Sequence, residues 1–159
     1  EAPVRLTECK HIPPYPKPVL VTCCAVACGC FCYLFGGTFL DMLIATAIGA
    51  VEQLFLFACE RKHVSRFLTN VFASLVVAIL SILAFASGLP VHHDKIIIGD
   101  IMPLVPGIVF TTSIRDFYNG DYLSGTIHLI DALLTALCIA VGICLPIVLF
   151  RYLGGGLAL

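Results

Sequence analysis

Between residues 18 and 150 the chain is apolar almost throughout, cut by only four short polar breaks. The apolar runs cover 18–37, 39–59, 67–89, 95–115 and 122–150, and the breaks read GGT at 36–38, ERKH at 60–63, LPVHHD at 89–94 and DFYNGD at 116–121. About 20 helical residues cross a hydrocarbon core about 30 Å thick. A backbone in lipid must satisfy its own hydrogen bonds, which makes the helix the ordinary way across. The expected fold is an all-α integral membrane protein with about five transmembrane helices. Composition agrees: 12% of residues are charged and mean hydropathy is +1.04, against about 25% charged in soluble domains. A net charge of −1 gives nucleic acid no reason to bind.

The expected organisation is a lead-in over 1–17, a five-helix membrane domain over 18–152 and a short tail over 153–159. The PPYPKP segment before the first run is rigid and extended. The chain opens on Glu1 without a signal-peptide pattern, so it is expected to be processed or part of something longer. Alternating crossings put Arg5, Lys10, Lys17, Arg61, Lys62, Arg66 and Arg115 on one side, and only Lys95 and Arg151 on the other. The positive-inside bias then predicts a cytoplasmic N-terminus and a C-terminus outside, in a cell membrane.

The fourth run, IMPLVPGIVFTTSIRDFYNGD at 101–121, contradicts itself. Pro103 and Pro106 remove donors from a helix that has no water to replace them. Gly107 is expected to permit a close approach to another helix or a ligand. Broken backbone at membrane depth is tolerated only when buried in protein or lining a wet cavity, and it recurs at transport sites. Asp100, Thr111 and Thr112 stand beside the break, so a simple packing kink is the less attractive account.

Buried ionisable residues need partners or water. In the fifth run Asp121, Ser124, His128, Asp131 and Thr135 fall within an arc of roughly 80°. Ser124 and Thr135 suit helix–helix hydrogen bonding. Asp131 lies deeper, about 15 Å along the axis from Asp121, and makes a proton-coupling candidate with His128 as its nearest partner on that face. In the second run Asp41 sits at the membrane edge, either solvated or capping the helix. Glu52 is deeper and is either a second proton-coupling candidate or an ion-pair member. His92-His93-Asp94 reads as a solvated loop. Cys24, Cys28 and Cys32 share a helix face; they read as packing residues, with a thiolate metal site as the alternative. No cofactor motif is present.

The string GDIMPLVPGIVFTTSIRDFYNGDYLSGTIHLIDALL at 99–133 resembles the membrane signature of the threonine/serine exporter family. The matching elements are Gly99, Met102, Leu104 to Gly107, Ile114 to Asp116, Gly120-Asp121, Ser124-Gly125 and Asp131-Ala132. LFGGTFLD at 34–41 and the PPYP lead-in add to it, so the resemblance spans about Pro13 to Arg151. It implies proton-driven export of small amino acids such as threonine and serine, with dicarboxylates for some relatives. It also implies a second membrane half, fused or separate. Three positions depart from the common pattern: Thr112 where many members carry Asn, His128 where many carry Arg, and Asp131 where Glu is frequent. The expected substrate path runs past Asp100, Pro106, Gly107, Thr111, Thr112, Arg115, Asp116, Asp121, Ser124 and His128. Arg115 would attract a substrate carboxylate. Two alternatives remain: a metal-dependent membrane enzyme using Asp116, Asp121 and His128, and a passive assembly subunit.

Overall fold

The computed structural model describes residues 16–61, 65–87 and 90–152. The tail and all of the lead-in up to residue 15 lie outside the described residues, as do Lys62 and His63. Of the described residues 86% are helical and none forms a strand. Six helices follow one another: α1 Lys17–Leu34, α2 Phe39–Arg61, α3 Arg66–Ala86, α4 His93–Ile101, α5 Gly107–Tyr118 and α6 Tyr122–Tyr152.

Four of them, α1, α2, α3 and α6, are long and apolar enough to cross a membrane. The fourth run divides into α4 and α5, each too short to cross alone: about 14 Å and about 18 Å at 1.5 Å per residue. Their joint crossing follows from the sense of α6. A Cβ at Gly142 would meet Ser74 and Val71, and further along Leu75–Ala86 borders one groove with Leu145–Phe150. Residue numbers rise together on both helices, so α3 and α6 run in the same direction. Parallel third and last spans require one crossing between them, which α4 and α5 make together. The described residues therefore make five crossings, with the fourth broken at Pro103/Pro106-Gly107.

The helix ends follow from local chemistry. Pro18 sits in the first turn of α1, where a missing N–H costs nothing. Asp121 begins α6 by accepting the Ser124 N–H at 3.2 Å. Gly36 and Gly120 end α1 and α5 with φ of 84° and 83°, a left-handed turn that favours glycine. At the start of α2, Asp41 Oδ2 accepts the Thr38 N–H at 2.8 Å and the Thr38 hydroxyl at 2.9 Å, while the Asp41 N–H returns to Thr38 Oγ1 at 3.3 Å. This is a reciprocal cap.

Asp41 also reaches across the fold. The His92 N–H donates to Asp41 Oδ1 at 3.0 Å, and the His92 ring Nδ1 lies 3.1 Å from Oδ2. Lys95 Nζ donates to the Phe35 carbonyl at 3.0 Å. His93 stacks edge-on against Phe85. The segment expected to be a solvated loop is thus a clamp joining the α1–α2 turn to the entry of α4. Replacing Asp41 by Ala removes four contacts from a fully buried position. The expected loss is about 2–4 kcal/mol, read as a fall in melting temperature of the detergent-solubilised protein, with His92→Ala losing less.

The bundle is assembled around α4, which contacts α1, α2 and α3, while α5 lies along α6. One core, at the α4 entry, gathers Cys32, Ala45, Ile48, Val77, Val91 and Ile96. A second, at the break, gathers Ala73, Leu104 and Ile139. A Cβ at Gly99 would lie 2.8 Å from the Cys28 carbonyl and 2.8 Å from Cys32 Cβ, so α4 rests directly on the α1 backbone. Cys28 and Cys32 are fully buried there, in the packing role their small volume suits. Cys23, Cys24, Cys28, Cys30, Cys32, Cys59, Cys138 and Cys144 are all free thiols. Large apolar side chains such as Leu123, Leu137 and Val148 are more than half exposed, as a lipid-facing surface requires.

Candidate functional site

The break is compact. Leu104 and Val105 donate to the Ile101 carbonyl at 2.9 and 3.2 Å, and Gly107 donates to the Val105 carbonyl at 2.8 Å. Pro106, at φ −77° and ψ 53°, is the centre of that last bond, an inverse γ-turn. Pro106 then opens α5, accepting from Phe110 at 3.0 Å. The prolines therefore break the helix as the sequence requires, and the turn recovers part of the lost bonding. Gly107 differs from expectation: a Cβ there would meet nothing within 4 Å. It borders an apolar groove with Phe110, Leu133 and Ala136, and no neighbouring helix closes on it.

Just before the break, Asp100 is fully buried, and Glu52 of α2 is 1% exposed. Among the described residues, none of their four carboxylate oxygens has a hydrogen-bond partner. Gly49, one turn before Glu52, and Gly99, next to Asp100, both close on Cys28 of α1, which brings the two acids to the same stretch of the bundle. Asp100 comes near the end of α4 and Glu52 thirteen residues into α2, which places both well inside the bundle. Burying an ionised carboxylate without partners is among the costliest arrangements a protein can hold. The pair must carry a proton or a cation for this arrangement to persist.

The polar face of α6 is divided between two neighbours. Its first turns meet α5: Ser124 Oγ donates to Asp116 Oδ2 at 3.1 Å, His128 Nε2 lies 3.8 Å from the same oxygen, and Ser113 Oγ donates to the Gly125 carbonyl at 2.7 Å. Gly125 is small because the Phe117 ring covers it; a Cβ would lie 2.9 Å away. Further along, Asp131 and Thr135 turn toward α3 and share a cavity of about 350 Å³ with Arg66, Phe67, Asn70, Pro106 and Val109, polar side chains set in a largely apolar lining. His128 therefore faces Asp116, and Asp131 has instead a cation of α3 across its cavity. The sequence carries one signal for this: Arg66 and Asn70 are four residues apart on one face of α3.

The remaining expected residues scatter. Thr111 and Thr112 bond back to carbonyls of their own helix at 2.8 to 3.0 Å. Arg115 is exposed on the outside of the α5–α6 hairpin. Asp121 caps α6, so Asp116, Asp121 and His128 do not converge, and no group of three metal-ligating side chains occurs among the described residues.

Five crossings, one of them broken beside two unpartnered acids, define a multi-pass helical membrane protein of the transporter kind. The model of the threonine/serine exporter family, ThrE, matches residues 1–150. The chain belongs to that family, whose members are membrane transporters. No curated protein and no solved structure matches it significantly.

Proposed function

We propose that the chain is the membrane half of a proton-coupled exporter that carries small amino acids of the threonine or serine kind, or related small carboxylates, out of the cytoplasm. The observation that carries this reading is the Glu52–Asp100 pair, buried and unpartnered at a helix break. Two acids in that position can exchange protons with either side only when the surrounding helices move, which is the requirement for coupling a proton to a solute. A second membrane half, fused or separate, supplies the other wall of the path, as a homo- or hetero-oligomer or as a continuation of the chain. The positive charge on the side holding Lys17, Arg61, Arg66 and Arg115 supports a cytoplasmic placement of that side.

The test is efflux from proteoliposomes that hold the chain together with its second membrane half and are loaded with labelled L-threonine, with the exterior acid or at the internal pH. Acid outside is expected to speed efflux, because protons enter as substrate leaves. Equal rates with and without the gradient would remove proton coupling, and no protein-dependent efflux of any small amino acid or carboxylate would remove the exporter reading. Topology has its own measurement. A cysteine placed at Asn119 should react with a membrane-impermeant reagent from the cytoplasmic side only, and one placed at His92 from the outside only. Both reacting from one side would sink the five-crossing orientation.

A further inference from the structure

The cavity beside the break has a particular charge pattern. Arg66 and Asn70 come from α3, Asp131 and Thr135 from α6, and Pro106 and Val109 from the opening of α5. Arg66 and Asp131 make no ion pair within 4.0 Å; among the described residues the pairs are His92–Asp41 and His128–Asp116. Opposite charges therefore stand apart across a space of about 350 Å³, open for a solute between them.

We propose that this cavity binds a small zwitterionic amino acid, its carboxylate held by Arg66 and its ammonium by Asp131. This rests on the exporter reading and narrows its substrate class. A guanidinium offers paired N–H donors that match a carboxylate. The first turn of α5 borders the same space, and the positive end of its dipole favours the same group. Asp131 supplies the acceptor that an ammonium needs, and Asn70 and Thr135 offer donors and acceptors for a hydroxyl side chain. The arrangement also rejects. A dicarboxylate would set its second anion against Asp131, and an amine without a carboxylate would leave Arg66 unanswered. Glu60 lies on the other flank of Arg66, in the adjoining space with Gln53 and Thr69, and is the competing partner for the guanidinium.

The experiment is equilibrium binding of tritiated L-threonine to the protein in nanodiscs at neutral pH. The competitors are L-serine, threonine methyl ester, N-acetylthreonine and succinate. L-serine is expected to compete and the other three to fail. Arg66→Gln should weaken threonine binding roughly tenfold or more and bring the methyl ester level with it. Asp131→Asn should weaken threonine similarly and narrow its advantage over N-acetylthreonine. Glu60→Gln should leave these preferences as they are. If Arg66→Gln does not yield folded protein, Arg66→Lys serves, with a reduced preference for threonine over its ester. Parent-like binding in both the Arg66 and Asp131 variants overturns the inference while gradient-driven efflux by the parent keeps the exporter reading. A parent that binds succinate in preference to threonine, or binds none of the probes, overturns it too. The exporter reading itself fails only on the efflux measurement.

Discussion

Glu52→Gln combined with Asp100→Asn abolishes the acceleration of efflux by an acid exterior and leaves threonine exchange at symmetric pH. This is the expected result if the two acids carry the coupling proton. Both substitutions keep shape and hydrogen-bonding capacity and remove the titratable group, so the bundle should assemble as before. Stability should stay close to the parent's, because a neutral amide of the same shape stands in for an acid that already needs a proton or a cation there. Each single variant is informative, since protons shared by neighbouring acids belong to the pair. Either one alone should flatten most of the gradient response. The measurement compares efflux rates with the exterior acid and at the internal pH, in parent and variants at matched protein density. An unchanged ratio in the double variant would make the pair structural and return Asp131 to the front as the coupling residue.

Gly142→Leu has the largest expected effect on assembly. The added Cβ alone would lie 2.5 Å from the Val71 carbonyl and would run into the Ser74 hydroxyl, itself bonded to the Asn70 and Val71 carbonyls at 2.8 and 3.0 Å. Neither neighbour is the free end of a flexible chain, so α3 and α6 must separate. The expected cost is about 3 kcal/mol or more, at the upper end of overpacking. It should appear as loss of the monodisperse peak in size-exclusion chromatography and a large drop in melting temperature. Gly107→Leu is the internal comparison. Open space surrounds Gly107, and the same substitution there should leave the peak intact. Equal damage at both positions would mean that bulk in lipid, rather than the α3–α6 contact, sets the loss.

The helices were legible because lipid imposes length. The runs at 39–59, 67–89 and 122–150 differ from α2, α3 and α6 by at most three residues at either end. The break was legible because proline chemistry is local, and both proline positions behave as the missing N–H demands. Of the two readings of Asp41 the cap holds and the solvated one fails, because the side chain is fully buried; its tie to His92 spans 51 residues and leaves no periodic trace. The same holds for Glu52 and Asp100. Each is visible alone as an acid in an apolar run, and nothing in the spacing says that they share one space. Arg66 was hidden differently. As the first residue of a helix on the positive side it satisfied the topology count, which gave it a sufficient reason to exist. The arc on α6 was correctly found as a polar face. Its division between Asp116 on one side and Arg66 on the other depends on where α5 ends and α3 begins, and those are tertiary facts.

That offset between α3 and α6 has a kinetic consequence. With Ser74 beside Gly142 and Arg66 in the cavity of Asp131 and Thr135, roughly the first nine to twelve residues of α6 extend past the start of α3, with α5 alongside. At 31 residues α6 is about 46 Å long, against about 30 Å of hydrocarbon. The overhang and the end of α5 beside it carry Arg115, Asp116, Asp121 and His128 as a forecourt to the cavity. A charged solute entering from that side meets this field before it meets Arg66 or Asp131. Neutralising forecourt charges should therefore change the capture rate and its dependence on ionic strength, while equilibrium affinity for threonine stays close to that of the parent.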